Sequence, residues 1–283
     1  MTFWQAMLLA VLQGASELFP ISSLGHTVLV PALLHWSVDR SDPAFLSFVV
    51  ALHLGTALAL VVFYWSDWLR IVSAFVKSIV RGSLGDDPDE RVAWLLVVGT
   101  VPVAIVGVFL EKPVRELFGS TALVALFLMI NGGIMFVGER LRGAAQGDLA
   151  TRPLPELPWP DGVAVGFAQS LALLPGISRS GSSIVAGLLR RLSHEDAARY
   201  SFLLATPAIL AASVLELPRL FAPGSSPILT EALLGAVVAG VTAYASVAFL
   251  TRYFRTNDLR PFGWYCLIFG ALCFVLSLTK VIS

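Results

Sequence analysis

The chain has 283 residues, of which 57% are hydrophobic and only 13% are charged, and its mean hydropathy is +0.80. A soluble domain contains about 25% charged residues, so this composition excludes an ordinary soluble protein. The formal net charge of zero provides no basic surface, and we expect no nucleic-acid partner. Several apolar runs are long enough to cross about 30 Å of hydrocarbon, which takes roughly 20 residues. Because the runs are continuous rather than alternating, they predict an all-α polytopic membrane protein and not a β-barrel.

The first apolar segment, residues 3–18, ends at Phe19-Pro20 and is too short for a comfortable membrane span. Residues 27–36 are apolar again and equally short. We therefore predict a re-entrant helix–loop–helix hairpin at about residues 3–34. Non-helical backbone at membrane depth is tolerated only beside protein or a water-filled cavity, so the loop should line a cavity. The segment Met1–Phe19 contains no Lys or Arg, which argues against a signal peptide.

Three longer apolar runs complete the first half of the chain. They predict full spans at about 45–65, 92–110 and 120–138. Residues 66–91 between the first two spans are charged and contain glycine and proline, so we predict a loop there. Residues 140–161 carry four prolines and mixed charge. We interpret them as a cytoplasmic linker within one integral membrane domain, between repeat halves 1–139 and 162–283.

The second half repeats the pattern of the first. Residues 162–189 again form two short apolar segments around a polar loop, which predicts a second re-entrant hairpin. Ser193 followed by Glu195 and Asp196 is typical of a helix N-terminus. The remaining apolar runs predict spans that end near 217 and that cover about 229–250 and 262–281. The chain should therefore contain two hairpins and about six full transmembrane helices.

Two related motifs occupy the hairpin loops. The first runs from Gln13 to His26 (QGASELFPISSLGH) and the second from Gln169 to Ser182 (QSLALLPGISRSGS). Aligned, they match Gln with Gln, Ile-Ser with Ile-Ser, and Gly25 with Gly181. Downstream, SFVVA at 47–51 matches SFLLA at 201–205 at nearly the same offset. We interpret the chain as an internal duplication.

The basic residues predict how the two halves are oriented. Four loops, at 66–91, 139–161, 189–200 and 251–260, hold thirteen of the 19 Lys and Arg residues and fall on one side of the predicted spans. The positive-inside rule makes that side cytoplasmic and places both termini outside. The hairpins would then enter from opposite faces and meet at their tips. This arrangement is an inverted-topology repeat, as found in transporters.

The motif residues suit a phosphate or diphosphate group. Arg179 offers a planar fork of donors for phosphate oxygens, and both loops lead into helix N-termini, which favour anions. Hydroxyls and flexible backbone amides surround it, and we expect phosphate contacts from Ser22, Gly25, Gly176, Ser178, Ser180 and Gly181. Ser/Gly-rich loops in membranes often serve only helix packing. The matched positions of Glu17, His26 and Arg179 favour a functional site instead.

The ionisable residues of the loops predict catalytic chemistry. His26 lies three residues after Ser23 and could act as the base or acid for a serine nucleophile. Glu17 could hold a divalent ion or orient His26. We interpret the isolated His35 and His53 as structural and leave both out of the site. Asn131 and Glu139 are interpreted in the same way, as polar contacts between helices or at a helix end.

Residues 17–26 (ELFPISSLGH) and 175–181 (PGISRSG) resemble the paired signatures of the bacterial undecaprenyl-diphosphatase family of the bacitracin-resistance type. The similarity extends over the whole chain, including AARYSFLL at 197–204. It implies a plasma-membrane enzyme that hydrolyses undecaprenyl diphosphate to undecaprenyl phosphate, with a site open to the periplasm. It also implies a divalent cation, Mg²⁺ or Ca²⁺. A homodimer is one option that the sequence leaves open.

Carried over by motif, the catalytic set is Glu17, Ser23, His26 and Arg179, with the metal at Glu17 and Gln13 nearby. Ser23 would be the nucleophile, or only a phosphate ligand if water attacks directly. Two positions depart from the family pattern. Gln13 stands where a Glu is common, and Leu24 stands where Ser or Thr is usual. The rival hypothesis is a carrier that flips polyprenyl phosphate, with or without hydrolysis.

Overall fold

The architecture comes from a computed structural model, which describes residues 1–36, 38, 43–117, 119–146, 151–220 and 226–282. These residues form a bundle of eleven α-helices with two short 3₁₀ turns, at Leu154–Glu156 and Leu171–Leu173. The helices are α1 (Phe3–Ser16), α2 (Ser23–Leu33), α3 (Pro43–Phe63), α4 (Trp65–Arg81), α5 (Pro88–Leu117), α6 (Thr121–Gln146), α7 (Trp159–Ser170), α8 (Arg179–Leu189), α9 (His194–Leu220), α10 (Ser226–Tyr253) and α11 (Arg260–Leu278).

Within the described ranges, five helices are long and apolar enough to cross a membrane, which makes the chain an integral membrane protein. These candidate spans are Ala44–Phe63, Pro88–Phe109, Thr121–Gly143, Ile228–Tyr253 and Arg260–Leu278. The sixth predicted span corresponds to α9, which is helical but is not one of the five. Its start carries Glu195, Asp196 and Arg199, and the apolar residues that follow, such as Phe202 and Leu203, are fully buried against other helices.

Both predicted helix–break–helix units are present. The 14 residues of α1 and the 12 of α7 give lengths of roughly 21 and 18 Å at 1.5 Å per residue, well short of a hydrocarbon layer. Residues 17–22 separate α1 from α2, and residues 171–178 separate α7 from α8. The proline-containing motifs therefore interrupt helices where the sequence indicated.

The prediction of a loop over residues 66–91 is wrong, because α4 occupies most of it. This helix ends at Gly82, whose φ of 71° is the left-handed conformation common after a helix C-terminus. Its surface has three sectors at helical spacing. One packs on the protein through Ile71, Ala74 and Ser78, and one is polar, with Arg70, Lys77 and Arg81. The third is apolar yet exposed, and consists of Trp65, Leu69, Val72, Val76, Ile79 and Val80.

This division explains why composition misled the prediction: the charges of α4 are spaced along one face of a helix. A helix that joins two spans and exposes one apolar and one basic face is typical of an element lying in the membrane interface.

The boundaries of the predicted linker at residues 140–161 also change. α6 continues to Gln146 and α7 begins at Trp159, so both ends of the predicted linker are helical.

The helices pack in corresponding pairs. α1 lies on α10 and α7 lies on α5, while α3 contacts α9 and α6 contacts α11. α3 also packs on α10, and glycines allow backbones to touch at such helix contacts. A Cβ on Gly55 of α3 would lie 2.0 Å from the Ala236 carbonyl oxygen of α10, and one on Gly166 of α7 would lie 2.5 Å from the Gly99 carbonyl oxygen of α5. The short helices α1 and α7 are thus each packed on one side against a longer helix.

Candidate active site

Asn131 of α6 joins the loops of the two hairpins. Its Nδ2 donates to the Pro20 carbonyl oxygen of the first loop at 2.9 Å, and its Oδ1 accepts from the Ser178 amide of the second loop at 3.0 Å. Ser180 adds a third link by donating to the Phe19 carbonyl oxygen at 3.1 Å. Asn131 is fully buried. The interpretation of Asn131 as an interhelix contact is confirmed, and its two partners bring the loop tips together as predicted.

Close glycine contacts bring the same loops into register. A Cβ on Gly25 would lie 3.1 Å from the Gly176 Cα, and one on Gly181 would lie 3.3 Å from Pro20 Cβ. Gly176 has a φ of 111° and faces the Val124 carbonyl oxygen, which a Cβ would approach to 2.4 Å. The predicted phosphate-binding role of these glycines remains a prediction. Because these glycines have no side chains, one loop packs closely against the other.

The loop serines Ser22 and Ser178 cap the two helices that follow. Ser22 Oγ accepts from the Gly25 amide at 3.2 Å, and Ser178 Oγ accepts from the Gly181 amide at 3.1 Å. The equivalence supports the motif alignment and satisfies a free amide in the first turn of each helix. Ser22 also has a φ of 67°, which is strained for a residue with a side chain. Ser178 is additionally 3.0 Å from Ser180 Oγ.

Glu17 is the centre of the polar cluster between the loops. Its Oε2 accepts from Ser23 Oγ at 2.6 Å and from Gln13 Nε2 at 3.1 Å, and lies 3.4 Å from His53 Nε2. Its Oε1 lies 3.3 Å from Arg179 Nη2. Among the described residues, the carboxylate is therefore surrounded by four donors from four helices, α1, α2, α3 and α8. Three predicted catalytic residues, Glu17, Ser23 and Arg179, meet here.

The Arg179 guanidinium is held by hydrogen bonds on one side and retains an unpaired N–H on the other. Nη1 donates to the Ser201 carbonyl oxygen of α9 at 3.1 Å, while Nε is buried and has no hydrogen-bond partner among the described residues. Only 12% of its side-chain surface is exposed. An arginine held by one backbone carbonyl, with a further N–H unpaired, is well placed to bind an incoming oxyanion.

His53 belongs to this cluster, so its exclusion as a merely structural histidine is wrong. Its Nδ1 lies 2.8 Å from the Val49 carbonyl oxygen and its Nε2 faces Glu17. Both neighbours are acceptors, and only the doubly protonated ring can donate to both. The signal was present in the repeat: His53 follows SFVVA at 47–51, the counterpart of the SFLLA segment whose Ser201 holds Arg179.

The His26 ring makes no hydrogen bond to Ser23. Its Nδ1 donates to the Ser22 carbonyl oxygen at 2.7 Å, and its Nε2 lies 2.7 Å from the Tyr265 hydroxyl. The ring also stacks on Phe269, with 5.2 Å between ring centroids. Both ring nitrogens are therefore engaged away from the serine. The base within reach of the Ser23 hydroxyl is Glu17.

Glu139 confirms its assignment to a helix end. Its Oε1 accepts from the Leu259 amide, at the start of α11, at 3.0 Å, and lies 2.7 Å from His194 Nε2. This pair belongs to a different part of the molecule from the Glu17 cluster.

The donor set fits a divalent cation only together with substrate. Among the described residues, no group of three or more His, Cys, Asp or Glu side chains could hold a metal. Gln13 Oε1 is buried beside Glu17 and has no partner among those residues. Mg²⁺ and Ca²⁺ take six or more oxygen ligands. One carboxylate and one amide oxygen would therefore need phosphate oxygens and water to complete the shell.

Residues 6–272 match the protein family described as "Bacitracin resistance protein BacA". Similar proteins include the undecaprenyl-diphosphatase of Acidiphilium cryptum, which is 49% identical over 277 residues and 96% of each chain. The undecaprenyl-diphosphatase of Mycolicibacterium paratuberculosis is 47% identical over 297 residues and 97% of each chain. Undecaprenyl-diphosphatase 2 of Chromobacterium violaceum is 46% identical over 272 residues, which cover 95% of this chain and 96% of that protein.

Proposed function

The chain belongs to the BacA family of bacitracin resistance proteins, and we propose that it hydrolyses undecaprenyl diphosphate to undecaprenyl phosphate and inorganic phosphate. The reaction recycles the lipid carrier of peptidoglycan and other envelope polymers and confers bacitracin resistance. We assign the reaction to the loop site because Glu17 contacts both Ser23 and Arg179 there. The two loops together supply a base, a hydroxyl and an oxyanion binder in buried surroundings.

The electrostatics of the cluster favour a diphosphate. Arg179 and a doubly protonated His53 would outweigh the single carboxylate of Glu17 by one positive charge. The N-termini of α2 and α8 start at Ser23 and Arg179, and each helix dipole adds partial positive charge there. A buried excess of positive charge is costly in an apolar setting, and a phosphate anion would neutralise it.

The mechanism follows from the hydrogen bond between Ser23 and Glu17. Ser23 Oγ attacks the terminal phosphorus while its proton passes to Glu17 Oε2, 2.6 Å away. The bond from that phosphorus to the bridging oxygen breaks, and undecaprenyl phosphate leaves. Water then cleaves the phosphoserine to release phosphate. Arg179 binds the phosphoryl oxygens, with its unpaired Nε as an additional donor. His26 holds the Ser22 carbonyl, and with it the loop that carries Ser23.

A divalent cation, Mg²⁺ or Ca²⁺, is part of the proposal. Glu17 and the unpaired Oε1 of Gln13 would hold it, and the remaining ligands would come from the diphosphate and water. When bound, such an ion neutralises phosphate charge.

We also propose that the two halves form an inverted repeat with re-entrant hairpins in the bacterial plasma membrane. The short lengths of α1 and α7 support re-entry, and the matching helix pairs, α1 on α10 and α7 on α5, support a pseudo-twofold relation. The basic loops would be cytoplasmic, both termini would lie outside, and the site would face the periplasm.

Purified protein incubated with undecaprenyl diphosphate and Mg²⁺ or Ca²⁺ tests the activity. Wild type should release inorganic phosphate, and Ser23→Ala and Arg179→Ala should abolish release. Ser73→Ala, which removes an exposed hydroxyl on α4, should leave it unchanged. No release with any divalent cation would contradict hydrolysis and favour the carrier hypothesis. Rapid quench with substrate labelled in its terminal phosphate decides the role of Ser23: labelled protein supports attack by serine, and its absence supports attack by water.

A further inference from the structure

We propose that His53 is a positioning residue that holds the Glu17 carboxylate in the orientation required to accept the Ser23 proton. The inference rests on the proposed hydrolysis and adds to it a side chain outside both motifs. His53 lies on α3, a candidate membrane span, whereas Glu17 lies just beyond the end of α1.

The imidazole is fixed at both ends. Nδ1 faces the Val49 carbonyl oxygen one turn earlier in the same helix, at 2.8 Å, which sets the plane of the ring. Nε2 then points at Glu17 Oε2, 3.4 Å away. That oxygen is the one that accepts from Ser23. The histidine thus acts on the carboxylate oxygen that would take the proton.

The helix that carries His53 is itself rigidly placed. Gly55, two residues later, packs so closely on α10 that a Cβ would meet the Ala236 carbonyl oxygen at 2.0 Å. Functional groups are best oriented from rigid elements of the scaffold. Glu17 is the C-cap residue of α1, so its backbone is fixed by that helix while its side chain is oriented by the donors around it.

Substrate binding makes the contact of His53 with the Glu17 carboxylate more important. Arg179 holds the other oxygen of Glu17, but the proposed mechanism redirects this guanidinium toward phosphate. Apart from Ser23 itself, Gln13 and His53 then remain as the donors to Glu17 among the described residues. Without His53, Glu17 could rotate away from Ser23 at the step where the proton must move.

The expected result for His53→Leu is a fall in kcat of about 10–100-fold, the usual range for a residue that orients a site ligand. KM should change little because His53 does not touch the substrate in this proposal. Leu fills similar space without a donor. His53→Gln should restore kcat to near the wild-type value, since its amide nitrogen reaches the position of Nε2. His53→Asn reaches only the position of Nδ1 and should behave like the Leu variant.

Thr56→Val is the matched control. Thr56 is fully buried one turn from His53, and its hydroxyl donates to the His53 carbonyl rather than to Glu17. This variant should retain wild-type kcat. Phosphate release from undecaprenyl diphosphate, measured over a range of substrate concentrations, gives kcat and KM. If His53→Leu does not fold, the Gln and Asn variants decide the question by themselves.

Two outcomes would overturn the proposal: a wild-type kcat in His53→Leu, or equal losses in the Gln and Asn variants. Both leave the hydrolytic function intact, because wild type is still active. Failure of the proposed function itself appears differently, as an inactive wild-type protein.

Discussion

Ser23 donates its hydroxyl proton to Glu17, with 2.6 Å between Oγ and Oε2. The two residues stand on opposite sides of the break at Pro20, and the turn between the helices folds one onto the other. The sequence had suggested His26 as the base because of its spacing from Ser23. The structure engages both nitrogens of His26 elsewhere, so the carboxylate has the shorter path for the proton.

Glu17→Gln should therefore lower kcat by about 10²–10⁴-fold, the usual contribution of a general base. The amide preserves the size of the side chain but cannot accept the Ser23 proton. Phosphate release at saturating substrate measures the effect. Glu156→Gln, at an exposed position in a 3₁₀ turn, is a control that should keep full activity. If Glu17→Gln retained wild-type kcat, the carboxylate could not be the proton acceptor.

Asn131 should be essential for the stability of the loop contact. Asn131→Leu would leave the Ser178 amide buried without its acceptor and the Pro20 carbonyl with only the weak Cys266 thiol donor, and each unsatisfied group costs about 1–3 kcal/mol. We expect a lower unfolding midpoint in detergent and a reduced kcat, because the loops would lose their common anchor. Asn257→Ala removes an exposed asparagine whose side chain bonds only to the nearby Tyr253 and Thr256, and should change neither property. Unchanged stability of Asn131→Leu would show that the Ser180–Phe19 hydrogen bond and the glycine contacts hold the loops without Asn131.

The amphipathic helix α4 should lie in the membrane interface. Nitroxide labels on Val76→Cys and Lys77→Cys would report adjacent positions on its apolar and polar sectors, both exposed in the protein. In liposomes, oxygen should relax the label at 76 more strongly, and a water-soluble nickel complex should relax the label at 77 more strongly. The native Cys266 and Cys273 are fully buried, so they should not compete for the label. Equal accessibility of both labels to the nickel complex would place α4 in water.

The features predicted from the sequence are those that depend on local pattern. The lengths of the apolar runs and the proline at residue 20 determine the helix breaks. The paired motifs identified Glu17, Ser23 and Arg179 before any contact between them was visible. His53 was missed because its partner Glu17 is 36 positions away in sequence, and the two meet because α1 and α3 pack side by side on α10. α4 was missed because the charge content of residues 66–91 was taken as a sign of a loop, whereas its basic residues are spaced along one face of a helix.

The Gln13 amide lies beside Glu17, at the proposed cation site. In this chain its Nε2 donates to Glu17 while its Oε1 is buried without a partner among the described residues. Gln13→Glu would replace that donor with a second negative oxygen pair beside Glu17. Two adjacent carboxylates repel each other unless a cation lies between them, and two carboxylates bind Mg²⁺ more tightly than one. We therefore expect the variant to reach half-maximal activity at a lower Mg²⁺ concentration and to be more strongly inhibited by EDTA than wild type.

The matched control is Gln169→Glu in the second motif, where the side chain donates to the Gly99 carbonyl oxygen at 2.6 Å and does not contact Glu17. Its Mg²⁺ dependence should equal that of wild type. If Gln13→Glu also left the Mg²⁺ dependence unchanged, the cation would have to bind without Gln13.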